Sequence, residues 1–200
     1  MVRRKNRRPK GPICLDASEI ERMREAGRFA ARLLDLVEAA IRPGVSTEAI
    51  DRLVDETTRE RGGVSAPFGY PPGDAHPFPK HCCTSVNHVV CHGIPDPNHI
   101  LQVGDIVNVD VTPRIDGFHG DTSRTFLVGE VDAEARRLVE DTFEAMRGGI
   151  AACRPGATAG DMMEGTSAME QRGRQVEPGS REIGIFQATA KLLAGPAAPN

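Results

Sequence analysis

No run of apolar residues in this chain approaches the length needed to cross a bilayer as a helix, which excludes a spanning segment of that kind. The first ten residues hold Arg3, Arg4, Lys5, Arg7, Arg8 and Lys10, yet no apolar stretch follows them that could serve as a secretory h-region, so this end is not read as a signal peptide. Cysteine is scarce and odd in number: Cys14, Cys82, Cys83, Cys91 and Cys153 fit neither a zinc ribbon nor a redox pair. Reduced thiols in a cytoplasmic protein are the simplest account, with the adjacent Cys82 and Cys83 able to line a pocket as small hydrophobes. The net charge of −3 favours no class of partner. The basic residues at the start suggest a solvated, disordered extension over residues 1–16 or, more sharply, an electrostatic contact with ribosomal RNA.

What is present suits a soluble globular protein. Two hundred residues, 39% hydrophobic and 26% charged, are enough for one domain with a sizeable core. Apolar residues at helical spacing (Ile20, Met23, Ala26, Phe29, Ala30, Leu33, Leu34, Val37, Ile41) predict a helix over 17–41, capped by Asp16 or Ser18 and stopped by Pro43-Gly44. A second helix is expected from Thr47 as N-cap, with Ile50, Leu53 and Val54 inward. Residues 64–80, rich in Pro and Gly, read as an irregular loop. Strands are expected near 83–86, 89–92, 105–111 and 121–128, followed by a third helix over 132–153.

Two of these strands contain aspartates where apolar residues are expected. Asp110 lies between Val109 and Val111, and Asp121 opens the next strand. Buried carboxylates are costly unless paired or bound to a cation, so a metal site is the first hypothesis. Asp116-Gly117 is suited to a two-residue hairpin turn, because both central positions of a type I′ turn need positive φ. That turn pairs Ile115 with Phe118, Thr112 with Asp121 and Asp110 with Ser123. Alternation then places Asp110, Thr112, Asp121 and Ser123 on one face, and Val109, Val111, Thr122 and Phe126 on the other. The aspartates become diagonal neighbours with Cα atoms roughly 7–8 Å apart, close enough to converge on one or two cations. A bulge at Gly120 would put them on opposite faces. The plainer alternative is that Asp110 caps a strand and Asp121 belongs to a polar turn.

A long helix, an Arg-Pro-Gly break and a new helix occur twice: Arg42-Pro43-Gly44 with Thr47, then Arg154-Pro155-Gly156 with Thr158. This suggests two related halves. The second half lacks what the first contains. After Glu164 the apolar periodicity fades, and all six histidines (His76, His81, His88, His92, His99 and His119) precede Asp121.

Over residues 17–163 the chain resembles the type I methionine aminopeptidases. The match rests on Pro79-Lys-His-Cys-Cys-Thr-Ser-Val-Asn87, Val89-Val-Cys-His-Gly-Ile-Pro95, Gly104-Asp-Ile-Val-Asn-Val-Asp-Val-Thr112 and Asp116-Gly-Phe-His-Gly-Asp-Thr-Ser123. The Cys-His-Gly-Ile-Pro and Cys-Cys-Thr-Ser-Val-Asn segments look like these enzymes rather than the creatinase or proline dipeptidase relatives. The resemblance implies an α+β pita-bread fold of two pseudo-symmetric halves, here with a complete first half and an incomplete second. It implies metal-dependent removal of the N-terminal initiator methionine from nascent polypeptides by a cytoplasmic enzyme that takes two divalent ions, Co, Mn, Fe or Zn, per complete site.

By the same resemblance Asp110 chelates one metal, Asp121 bridges both, and His92 contacts substrate near the scissile amide. Tyr70, Phe78 and Cys83 fall where the family builds its methionine pocket. The family's second half supplies a histidine and two glutamates in motifs that this chain lacks. Glu170, Glu177 and Glu182 are carboxylates without that context, and residues 164–200 read as a divergent tail, expected from a truncation or change of reading frame. The expectation is therefore an aminopeptidase by descent with little activity of its own, and the alternative is a non-catalytic remnant that binds nascent chains or ribosomal RNA.

Overall fold

The computed structural model describes residues 14–173. The basic cluster of residues 3–10, the side chain of Glu170, and Glu177 and Glu182 lie outside what it describes.

Helix α1 (Ala17–Ala40) starts where the sequence can satisfy its first amides. The Asp16 carboxylate accepts the Glu19 amide at 2.8 Å, and the Glu19 carboxylate accepts the Asp16 amide at 2.9 Å, a reciprocal capping box. Its stripe of Ala26, Phe29, Ala30, Leu33, Leu34 and Val37 is buried, whereas Ile20 and Met23, at the near end of the same pattern, are exposed. Helix α2 (Thr47–Glu60) is capped by Ser46 rather than by the expected Thr47. The Ser46 hydroxyl accepts the Ala49 amide at 3.2 Å. Thr47 is buried, and its hydroxyl instead exchanges hydrogen bonds with the Asp96 backbone, donating at 3.1 Å and accepting at 2.9 Å.

The strands are β1 (Val64–Ser65), β2 (Cys82–Val86), β3 (Ile106–Val111), β4 (Pro113–Ile115), β5 (Phe118–His119) and β6 (Thr122–Leu127). They form two antiparallel three-stranded sheets, ordered β1-β4-β5 and β2-β3-β6. The loop expected over 64–80 thus begins with the short strand β1. The strand expected at 89–92 does not form. Asn87 and His92 take left-handed conformations, φ 51° and 54°, and the Val89 amide turns back to the Val86 carbonyl at 3.0 Å. Asn87 is fixed in this turn by its side chain, which donates to Asp105 at 2.7 Å and accepts the Ile106 amide at 3.0 Å.

One main core lies between α1, α2 and the two sheets, with Val107, Val109, Val111, Ile115 and Phe126 meeting Phe29, Leu33 and Val37. On the opposite face of β3 and β6, Ile106 packs with Val131 and Ala135 at the start of helix α3 (Ala133–Ala152). Helix α4 (Ala159–Gly173) then lies along α3 and continues past Glu164.

The duplication suggested by Arg-Pro-Gly extends to backbone detail. Ile41 and Cys153, the residues before the two arginines, both end their helices in extended conformation (φ −67°, ψ 117° and φ −72°, ψ 97°), and Gly44 and Gly156 follow with φ 90° and 88°. Ser46 caps α2 two residues after its glycine, and Thr158, likewise two residues on, accepts the Asp161 amide at 3.2 Å. The equivalent of Thr158 is therefore Ser46, not Thr47.

Candidate functional site

The hairpin between β3 and β6 has the expected register. Asp116 and Gly117 both have positive φ, 49° and 86°, as a type I′ turn requires. Ile115 pairs with Phe118, Arg114 with His119 and Asp110 with Ser123, so no residue is inserted at Gly120. The Thr112 hydroxyl donates to the Asp121 carboxylate at 3.1 Å across the two strands. Asp110 and Asp121 therefore share a face as diagonal neighbours.

Strand β2 adds a third member. Cys83 lies opposite Asp110, so Cys83, Asp110 and Ser123 form one row across the sheet. Val107, Val109 and Val111 point to the other face and are buried against α1. Arg124, on that face, pairs with Asp35 at 3.1 Å and Glu38 at 2.9 Å of α1. The two carboxylates differ in setting: Asp110 is 9% exposed, while Asp121 is solvent-exposed.

His92 is exposed and borders the outer edge of β2. The next residue fixes this approach, because the Thr84 amide donates to the Gly93 carbonyl at 2.8 Å and the Gly93 amide to the Ser85 hydroxyl at 3.2 Å. A Cβ at position 93 would stand 2.1 Å from the Thr84 carbonyl oxygen. Phe78 is joined to the Gly69-Tyr70 segment by two backbone bonds, Phe78 amide to Tyr70 carbonyl at 2.7 Å and Gly69 amide to Phe78 carbonyl at 2.8 Å. Tyr70 is exposed and Phe78 half-buried.

Sequence reasoning missed a polar cluster beside these residues. Asp51, on the inward side of α2, is buried and accepts the His81 amide at 2.6 Å and the Cys82 amide at 3.1 Å. The His81 ring lies 3.0 Å from Asp51 and 3.4 Å from Asp55, and Phe68 stacks on it at 4.7 Å. The available signal was a carboxylate next to Ile50, at the start of the Ile50, Leu53 and Val54 stripe that the sequence points inward. Burial, reinforced by the nearby Asp51 charge, pushes the Cys82 thiol well above its ordinary value and leaves it protonated and unreactive at neutral pH.

The chemistry of the two aspartates suits a hard divalent cation. Among the described residues, however, no three His, Cys, Asp or Glu side chains are grouped so as to hold an ion. Among the described residues the pair is therefore an incomplete donor set.

Residues 21–177 match the model of metallopeptidase family M24. The chain belongs to this family. Among curated M24 relatives, methionine aminopeptidase B of Synechocystis sp. is 53% identical over 155 residues, covering 76% of this chain and 56% of that protein. The crystal structure of methionine aminopeptidase from Rickettsia prowazekii superposes with a TM-score of 0.75 at 39% identity, covering 80% of this chain and 62% of that one. Xaa-Pro dipeptidase from Bacillus anthracis, at 22% identity and TM-score 0.67, shares the fold. The M24 fold here is the mixed α/β pita-bread fold, and the chain spans about half the length of the curated relatives it matches. Divalent metal cofactors are a property of this metallopeptidase family.

Proposed function

We propose that this chain derives from a cytoplasmic methionine aminopeptidase and carries the first-half part of its site, within an aminopeptidase-like domain over residues 17–163. The observation that carries this reading is the row of Cys83, Asp110 and Ser123 with Asp121 on the same sheet face, in a chain 53% identical to a methionine aminopeptidase. In this reading Asp110 and Asp121 would be the first-half residues that hold divalent ions, drawn from Co, Mn, Fe or Zn, which in a complete site would supply an activated water. His92, held at the edge of β2, meets substrate beside the scissile amide. Tyr70, Phe78 and Cys83 form the slot for the methionine side chain, whose thioether suits apolar and sulfur neighbours. The substrate is the N-terminal methionine of nascent polypeptides.

Two carboxylates bind a divalent ion weakly, and among the described residues no third His, Cys, Asp or Glu is grouped with them to complete a metal site. The 200-residue chain is therefore expected to release no methionine above background from a Met-Ala-Ser peptide, with Co, Mn, Fe or Zn added in turn. Clear turnover that disappears in Asp110→Ala would show that the site is completed and overturn the inactivity.

The arginines and lysines of residues 3–10 favour a second, compatible reading as a ribosome contact. It predicts salt-sensitive co-sedimentation with ribosomes that is lost when residues 1–10 are deleted. Equal sedimentation of the deleted chain would refute it.

A further inference from the structure

The Asp51, Asp55 and His81 cluster lies outside the aspartate pair, and the proposed reaction gives it no role. The Asp51 carboxylate receives both backbone amides at the entry to β2, His81 at 2.6 Å and Cys82 at 3.1 Å, and faces the His81 Nδ1 at 3.0 Å. Asp55, one turn further along α2, faces Nε2 at 3.4 Å and also takes the Arg59 Nε at 2.9 Å. Each ring nitrogen thus faces a carboxylate oxygen of α2. One face of the ring is covered by Phe68, nearly parallel at 7° between planes and 4.7 Å between centroids. Beside His81, Lys80 makes an ion pair with Glu48, a further tie between α2 and the start of β2.

These contacts fix the two ends of one loop. Phe68 stands at its beginning and His81 at its end, and Tyr70 and Phe78 lie between them. Phe68 is 58% exposed, so the stack, rather than burial in the core, restrains this end of the loop. Cys83 follows His81 by two residues, on the strand that Asp51 receives.

We infer that His81 is a positioning residue, which clamps the Phe68–Phe78 loop to α2 and β2 and so sets the wall of the methionine side-chain pocket. The inference rests on the reading of Tyr70, Phe78 and Cys83 as that pocket. The clamp itself is measurable without turnover.

Amide exchange by NMR on the full chain tests it. In His81→Ala the amides of Gly69 and Phe78, which hold the loop together, should exchange roughly tenfold faster, the change expected from losing one charge-assisted hydrogen bond. The amides of Val107 and Val109 in β3 should keep their rates, which separates loop release from general loss of stability. His81→Asn, whose amide can still donate to Asp51, should recover part of the protection, while Phe68→Ala should repeat the faster loop exchange with the core untouched. Tyr70 is the chain's single tyrosine and there is no tryptophan, so its fluorescence anisotropy reports the same loop without a label and should fall in both truncation variants. Unchanged loop exchange and anisotropy in Phe68→Ala would overturn the clamp even if His81→Ala failed to fold. Turnover that disappears in Asp110→Ala would overturn the inactivity expected of the proposed function and leave the clamp standing.

Discussion

The site depends on a few residues whose neighbours leave little freedom. Asp110 is tolerable in a strand between two buried valines because the pleat turns it to the face opposite α1, into a row with Cys83 and Ser123. Gly93 is equally constrained, with the Thr84 carbonyl occupying the space a side chain would need. Gly93→Ala should therefore push the His92 segment away from β2 and cost roughly 1–3 kcal/mol, as overpacking of backbone against backbone does. Urea denaturation would measure it, and a midpoint equal to that of the parent chain would show that the segment yields freely. The sequence placed Asp110 and Asp121 on one face through the Asp116-Gly117 turn, because hairpin register follows from local backbone conformation. It gave no comparable sign of Asp51 and His81, 30 residues apart and joined only through the packing of α2 on β2.

At the scale of elements, helix boundaries were legible and their exact caps were not. The first helix ends where its apolar pattern and Pro43 place it, and α3 runs from Asp132 as N-cap to Cys153. Ser46 and Thr47 are both good capping residues, and a tertiary contact decides between them: the Thr47 hydroxyl is engaged by the Asp96 backbone, leaving the cap to Ser46. Ser46→Ala should cost about 1 kcal/mol in chemical denaturation. A loss near zero would mean that water replaces the cap. The unformed strand at 89–92 lies beside β2 but is broken by its own backbone, since the left-handed Asn87 and His92 turn the chain out of extended conformation at both ends.

Across the whole molecule the repeated helix pairs are treated unequally. Helix α1 buries six residues against the sheets, whereas α3 buries Ala135, Ala145 and Gly149 and leaves Phe143 and Ile150 half exposed. Local stability follows buried contact, so α3 and α4 should open before the sheet. Hydrogen exchange is expected to show slower exchange through residues 107–111 and 122–127 than through residues 140–165. Uniform protection would indicate that the second pair is held by contacts beyond those described. Exposed apolar groups on α3 also favour association, and the hydrodynamic size of the chain should be checked in the same experiment.

By itself the sequence determined the local features: the extents of α1 and α3, the hairpin turn, the face shared by two aspartates, and the motifs that tie the chain to the M24 peptidases. Each is set within a few residues by backbone sterics and the period of apolar side chains. Only the tertiary structure decided which distant residues meet: Cys83 beside Asp110, the His92 segment against β2, and His81 between α2 and Phe68. Those neighbours come from elements distant in the chain. Their proximity follows from how the sheets and helices bury a common core, a property of the whole fold that no short stretch of sequence encodes.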